Sequence, residues 1–322
     1  MLDKNGFTRR GFLQAGGALA GLNLLSPSDR IARADETLAE QPARFRFVHL
    51  TDIHVQPELG ADEGWRQCVQ KINQLDPLPD FVITGGDLIM DALAPDADRI
   101  DLEWKLFDAA AKELNVPVHH TIGNHDIGGW SPKSKLANND ARYGKAMFAD
   151  RYGQGRTYRS FDHKGWHFVI LDSVGKASAD EPGSGYIGLI DDEQIEWLRQ
   201  DMEKTGRETP TVIVTHIPFF SVVLQSMKGS QAAIAKGGLV TNAHAVRQLL
   251  EPYNVQLVLS GHGHVRERID LRGVTYIQSG AVSGGWWRGP LFREAEAFNV
   301  VDCDANQFDY RFQDYGWKAR KT

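Results

Sequence analysis

Five short apolar runs in this chain each empty into Asp, His or Asn. Arg44 to Leu50 leads into Thr51-Asp52-Ile53-His54, and Pro79 to Thr84 into Gly85-Gly86-Asp87. Val116 to Thr121 leads into Ile122-Gly123-Asn124-His125-Asp126-Ile127. Thr211 to Thr215 stops at His216, just ahead of Pro218, and Val255 to Leu259 stops at Ser260-Gly261-His262-Gly263-His264. The starts of these runs carry no comparable cluster. Apolar runs of this length predict buried strands. Helical patterns lie between them at Gly64 to Leu75, Asp98 to Leu114, Asp191 to Glu203 and Asn242 to Leu250. Strands alternating with helices predict an α/β fold with a mainly parallel sheet. Such sheets bind ligands beyond the carboxyl ends of their strands. The pattern therefore predicts one rim crowded with polar side chains.

The residue types at that rim are metal-ligand types. Asp52, His54, Asp87, Asn124, His216, His262 and His264 supply mixed nitrogen and oxygen donors. That mixture suits zinc, iron, manganese or a similar ion and does not suit a calcium cage. Asp52 and His54, two apart on an extended segment, are expected to point to the same side. Two cations sharing one bridging carboxylate would use all seven residues.

The remaining signals are weaker. Residues 128–156 read as a polar rim loop with a short helix near Arg142 to Tyr152. Strands are expected at Thr157 to Phe161 and Trp166 to Leu171, and late in the chain at Val265 to Leu271, Val274 to Gln278, Ala297 to Asp302 and Asn306 to Asp314. Asp172 to Gly188 reads as a loop, and Ser221 to Gly238 as a flexible stretch able to act as a lid. Ser283-Gly284-Gly285-Trp286-Trp287-Arg288-Gly289 also follows a strand. Trp286 or Trp287 there could stack on a substrate ring and Arg288 could pair with phosphate, or the tryptophans could close the core.

The first 34 residues stand apart. Thr8-Arg9-Arg10-Gly11-Phe12-Leu13 resembles the twin-arginine export motif of bacterial signal peptides. A Gly/Ala-rich apolar stretch follows from Ala15 to Leu25, and Ala32-Arg33-Ala34 resembles a cleavage site. With no cysteine there, no lipid-anchored form is expected. Residues 1–34 are thus read as a signal peptide and residues 35–322 as one domain, exported through the twin-arginine machinery to the periplasm or medium. Five Lys or Arg against two Asp give this segment +3, so the other 288 residues carry −9 of the chain's −6 total. A domain that acidic is a poor partner for large nucleic acids. Cys68 and Cys303 lack metal-type spacing and are read as free buried thiols in preference to one disulfide. No apolar run reaches the ~18 residues of a membrane span.

Asp52-x-His54, Gly86-Asp87, Gly123-Asn124-His125-Asp126, His216 and Gly261-His262-Gly263-His264, in that order, resemble the motifs of the calcineurin-like metallophosphoesterases. The resemblance covers about Phe45 to His264. It implies a four-layer α/β/β/α sandwich of two mixed β-sheets. It also implies that Asp52, His54 and His264 hold one metal ion, that Asn124, His216 and His262 hold the second, and that Asp87 bridges them. His125 matches the family's catalytic histidine. Many relatives carry an aspartate three residues after the bridging one; here Met90 stands there, with Asp91 next, so the hydrogen bonding around Asp87 is expected to differ. The purple acid phosphatase branch has a metal-binding tyrosine at that position, so its colour is not expected.

The implied chemistry is hydrolysis of small-molecule phosphate esters by a metal-activated hydroxide, with two Fe, Mn or Zn ions as cofactors. An imidazole exchanges protons near neutral pH, which suits His125 to protonate the leaving oxygen. Asp126 would either orient His125 or cap its loop. A phosphodiesterase of the cyclic-nucleotide type is one alternative; an exported metal-binding or sensor protein without turnover is another. For export, replacing Arg9 and Arg10 together with lysine is expected to hold the protein in the cytoplasm. Cell fractionation reads this, and unchanged export would remove the twin-arginine reading.

Overall fold

A computed structural model describes residues 44–178, 180, 183 and 185–320. The twin-arginine motif and the cleavage pattern lie outside the described residues. Alternation within single strands explains the layering. In β1 (Phe45–Leu50), Phe45 and Phe47 point to one core, while Val48 and Leu50 point to another. β2 (Phe81–Thr84) divides likewise: Phe81 and Ile83 face the first core and Val82 the second. Strands buried on both faces need a cover on each.

The first cover is the other sheet. Sheet one has the order β13-β12-β1-β2-β3, where β3 is Val118–His119, β12 is Ala297–Asp304 and β13 is Gln307–Asp314. Sheet two has the order β10-β11-β9-β8-β5-β4. Its strands are β4 (Arg159–His163), β5 (Trp166–Ile170), β8 (Thr211–Val214), β9 (Val255–Ser260), β10 (Glu267–Leu271) and β11 (Val274–Gln278). Both sheets are mixed. β1-β2-β3 run parallel with β12 and β13 antiparallel, and β11-β9-β8-β5 run parallel with antiparallel edges. Aromatic rings fill the space between the sheets. Phe47 stacks on Phe81 at 5.4 Å, and both meet Phe168 edge-on at 5.4 and 5.2 Å. Each such pair adds about 0.5–1.5 kcal/mol beyond its buried area.

Helices cover the outer faces. α1 (Ala61–Asn73) and α2 (Ala97–Ala111) pack together. α1 buries Trp65, Cys68, Val69 and Ile72, and α2 buries Ile100, Trp104 and Phe107. A short α3 (Ala146–Phe148) follows and runs into a π turn at Ala149–Gly153. α4 (Asp192–Thr205) is capped by Asp191 accepting from Gln194 N–H, and it meets α6 (Ala243–Leu250). These layers make the expected α/β/β/α sandwich. Both cysteines are free and buried. Among the described residues, no helix is long and apolar enough to cross a membrane.

Four expectations need correction. The third strand is only two residues, because Pro117 has no N–H to donate and the strand lies at the sheet's edge. The loop expected at 172–188 contains a hairpin, β6 (Val174–Lys176) paired with β7 (Tyr186–Gly188). The flexible 221–238 segment contains α5 (Val223–Lys228), which buries no side chain. Trp287, offered as a substrate contact, is a core residue only 1% exposed. Its indole Nε1 donates to the His54 carbonyl at 2.9 Å, and its ring lies against Gly64 of α1.

That last contact sets a test. Helix propensity alone favours Gly64→Ala by about 1 kcal/mol. An added Cβ would sit 2.8 Å from Trp287 Cε3 and nearer still to Cζ3. Overpacking of this kind costs about 1–3 kcal/mol. G64A is therefore expected to lower stability in urea unfolding, and a gain would contradict this packing.

Candidate metal centre

All seven rim residues meet in one place. Sheet one contributes Asp52, His54, Asp87 and Asn124; sheet two contributes His216, His262 and His264. Hydrogen bonds zip the loops together. Asp52 N–H donates to the Gly86 carbonyl and His54 N–H to the Asp87 carbonyl, both at 3.0 Å. His262 N–H reaches across from sheet two to the Asp52 carboxylate at 3.0 Å.

The backbone there is not extended. Asp52, His54, Asp87, His262 and His264 have φ of 54°, 47°, 53°, 72° and 57°. L-residues in this left-handed region are strained by about 1–3 kcal/mol each. Asp52 and His54 do converge, but through these turns and not through strand alternation. Gly86 shows how tight the fit is: with φ 92°, it would place a Cβ 2.6 Å from His216 Nδ1.

The donor atoms form two outer groups, Asp52–His54–His264 and Asp87–His216–His262, joined by a third, His54–Asp87–His125. His264 Nδ1 donates to the Gly284 carbonyl at 2.6 Å and His216 Nδ1 to the Gly85 carbonyl at 2.8 Å. In the neutral rings, each Nε2 therefore presents a bare lone pair. His264 Nε2 faces His54 Nε2 at 3.1 Å and Asp52 Oδ1 at 3.3 Å. His216 Nε2 faces Asn124 Oδ1 at 3.0 Å and Asp87 Oδ2 at 3.2 Å. Asp87 Oδ2 is also 3.5 Å from His54 Nε2, which puts it between the groups. Lone pair against lone pair is repulsive, so protons or cations must occupy these gaps. The residues fit cations.

The titration of these groups reflects the same crowding. Burial opposes ionisation of Asp52, yet the charge and hydrogen bond of His264 hold its carboxyl below the usual range. Burial likewise opposes Asp87, and His216 and His125 override it. Burial also disfavours the charged form of His216, but Asp87 outweighs that and pushes the imidazole up to about 9. His262 goes the other way, down to about 4, through burial and then repulsion by His216. Burial drives His54 well down.

His125 sits at the mouth of the site, with its ring 4.8 Å from that of His54. Its backbone N–H donates to Asp87 Oδ1 at 2.8 Å. Asp126 does not reach the imidazole. Its carboxylate accepts from Leu88 N–H and Gly123 N–H at 2.8 Å each and from Ile89 N–H at 3.3 Å. Asp126 is the loop cap of the two readings, since backbone donors take both of its oxygens. Burial and the neighbouring Asp87 charge push its carboxyl up to about 8. The carboxylate beside His125 is Asp91, with Oδ1 3.7 Å from Nδ1. Burial raises the Asp91 carboxyl, and His125 pulls it back. Asp91 is one residue beyond the usual position, and that offset in sequence was its only signal.

Trp286 is 36% exposed, with its ring 4.4 Å from that of His264. Arg288 is exposed. Sequence reasoning missed Ser283, whose hydroxyl donates to the Asp52 carbonyl at 2.7 Å, and Ser173, whose hydroxyl accepts from Ile217 N–H at 2.8 Å beside His216.

The chain is similar to known proteins. The calcineurin-like phosphoesterase family model matches residues 45–266. The chain is 35% identical over 99 residues to the DNA double-strand break repair protein Mre11 of Methanococcus maripaludis, covering 28% of this chain and 24% of that one. It is 24% identical over 230 residues to a probable glycerophosphodiester phosphodiesterase of Arcobacter nitrofigilis, covering 67% and 71%. It spans only 25% to 43% of three purple acid phosphatases of Arabidopsis thaliana that it also matches. A solved dimetal phosphatase of Danio rerio superposes with a TM-score of 0.57 at 17% identity, over 84% of this chain and 99% of that one. A matched region running through every rim motif, on a sandwich of the same fold, leaves one conclusion: this chain belongs to the calcineurin-like phosphoesterase family.

Proposed function

We propose that this chain hydrolyses phosphate esters of small molecules, using two transition-metal ions held at the rim. The observation that carries this reading is Asp87 Oδ2, lying between two clusters of lone pairs. Asp52, His54 and His264 form one site; Asn124, His216 and His262 form the other; Asp87 is shared. Four imidazoles, two carboxylates and an amide suit iron, manganese or zinc. When bound, such a pair supplies charge neutralisation for an anionic ester and a Lewis acid that makes water nucleophilic at neutral pH.

The chain's own residues orient the ester and handle its proton. Asp91 Oδ1, 3.7 Å from His125 Nδ1, can orient the ring electrostatically, with Nε2 the atom left to serve the leaving oxygen. The backbone bond from His125 to Asp87 keeps that imidazole beside the metal groups. Trp286 flanks the His264 side of the centre, with Arg288 as an outer cation. A diester substrate is the second reading, favoured by similarity to the probable glycerophosphodiester phosphodiesterase over 71% of its length. Residues 35–322 act as the catalytic domain. Residues 1–34 direct export to the periplasm or medium, supported by the twin-arginine pattern. That route suits a protein loaded with metal before it leaves the cell.

His125→Ala is expected to keep its metal, measured by elemental analysis, while kcat falls about 10²- to 10⁴-fold. Asp91→Asn should lower kcat about 10- to 100-fold with metal content unchanged. Full activity in either variant would remove that residue's role, and stoichiometric metal with no turnover of any ester would leave a binding protein. Metal loading itself should release protons. His216, raised to about 9, is mostly protonated at pH 7 before loading, and a cation at Nε2 must displace that proton. Calorimetry in two buffers of different ionisation enthalpy measures the release; an identical heat in both would argue against His216 as a ligand.

A further inference from the structure

A cavity of about 530 Å³ opens beside His262, on the side of the centre away from Trp286's neighbour His264. Its wall includes Asp180, Tyr186, Ile187, Lys236, Gly237 and Gly238. The metal motifs contribute only His262 to it. The frame is hydrogen-bonded. Gly188 N–H donates to the Lys236 carbonyl at 2.9 Å, and Thr241 N–H to the Gly188 carbonyl at 2.7 Å. The β6–β7 hairpin is thus stitched to the 236–241 segment.

The Tyr186 ring stands at 87° to the His262 ring, with 6.3 Å between centroids. Gly237 clears space for it, since a Cβ there would lie 3.0 Å from Tyr186 Cε2. Beside the charged Asp180 and Lys236, an aromatic ring, an isoleucine and two glycines give the cavity a largely apolar wall next to a phosphate-directed centre. A volume of this size falls in the range of small-molecule sites, about 300–1,000 Å³. A methyl or glyceryl group would leave most of it to water, whereas a planar ring would bury apolar area against Tyr186.

We propose that this cavity receives a planar aromatic ring on the organic part of the ester, with the Tyr186 ring as its stacking surface. The proposal rests on the phosphoester reading above and adds the substrate class. Ring stacking needs the ring and not the hydroxyl, so Tyr186→Phe should preserve it and Tyr186→Ala should not.

The probes are phenylphosphonate and methylphosphonate, whose C–P bonds are not hydrolysed. Their binding to metal-reconstituted full-length protein is measured by calorimetry, with turnover of phenyl phosphate followed in parallel. Wild type and Y186F should bind the phenyl probe roughly 10-fold more tightly than the methyl probe, in the range of one stacking contact. In Y186A the two affinities should become equal. Equal binding in wild type, a preference that survives in Y186A, or its loss in Y186F would each overturn the proposal. A preference behaving as expected with no turnover of phenyl phosphate would instead count against the hydrolase reading alone.

Discussion

Electrostatic repulsion among converging donors is the constraint on which this structure turns. Four imidazoles, two carboxylates and an amide are aimed at the same small volume, with Nε2 of His54 and His264 only 3.1 Å apart. In the neutral rings only a proton on His54 Nε2 can bridge that pair, while His216 Nε2 faces two oxygen acceptors. The folded chain therefore holds a cluster that gains its favourable partners as protons or cations enter. Backbone carbonyls at Gly85 and Gly284 take the Nδ1 protons and so leave each Nε2 bare toward the centre.

The scaffold offsets this cost. Five of the donors sit on backbone with positive φ, a strain of several kcal/mol in total. Against it stand a ring-filled space between the sheets and two helical layers outside. The aromatic packing of Phe47, Phe81 and Phe168 also fixes the sheets against each other. Both carboxyl edges then end at the same rim, where Gly261 lies so close to Thr51 that no side chain would fit. A displacement of one sheet by a single residue would separate His262 from Asp52.

Much of this was legible in the sequence. Asp52, His54, Asp87, Asn124, His216, His262 and His264 could be found because strand ends are marked by the change from apolar to polar residues. The alternation of strands and helices predicted the α/β class, whereas the second sheet was implied only by the family resemblance. The role of Asp126 could not be read, because adjacency in sequence suggested contact with His125 while the 3₁₀ turn sends the carboxylate back to its own loop. Asp91 was visible only as an offset. Trp286 and Trp287 are neighbours with opposite fates, one beside His264 and one under α1, and no periodicity separates two residues in a left-handed turn. The β6–β7 hairpin was lost because three-residue strands rich in Gly and Lys carry no hydrophobic signature.

Ser283, Gly284 and Trp287 lie beyond residue 266, where similarity to the family ends. Yet Ser283 holds the Asp52 carbonyl, Gly284 sets the tautomer of His264, and Trp287 holds the carbonyl of His54. β12, which pairs with β1, also comes from this region. The region matched by the family model is thus not autonomous. Its donors are recorded in one stretch of chain and tensioned by another, so the later stretch can drift in sequence only as far as those three grips allow.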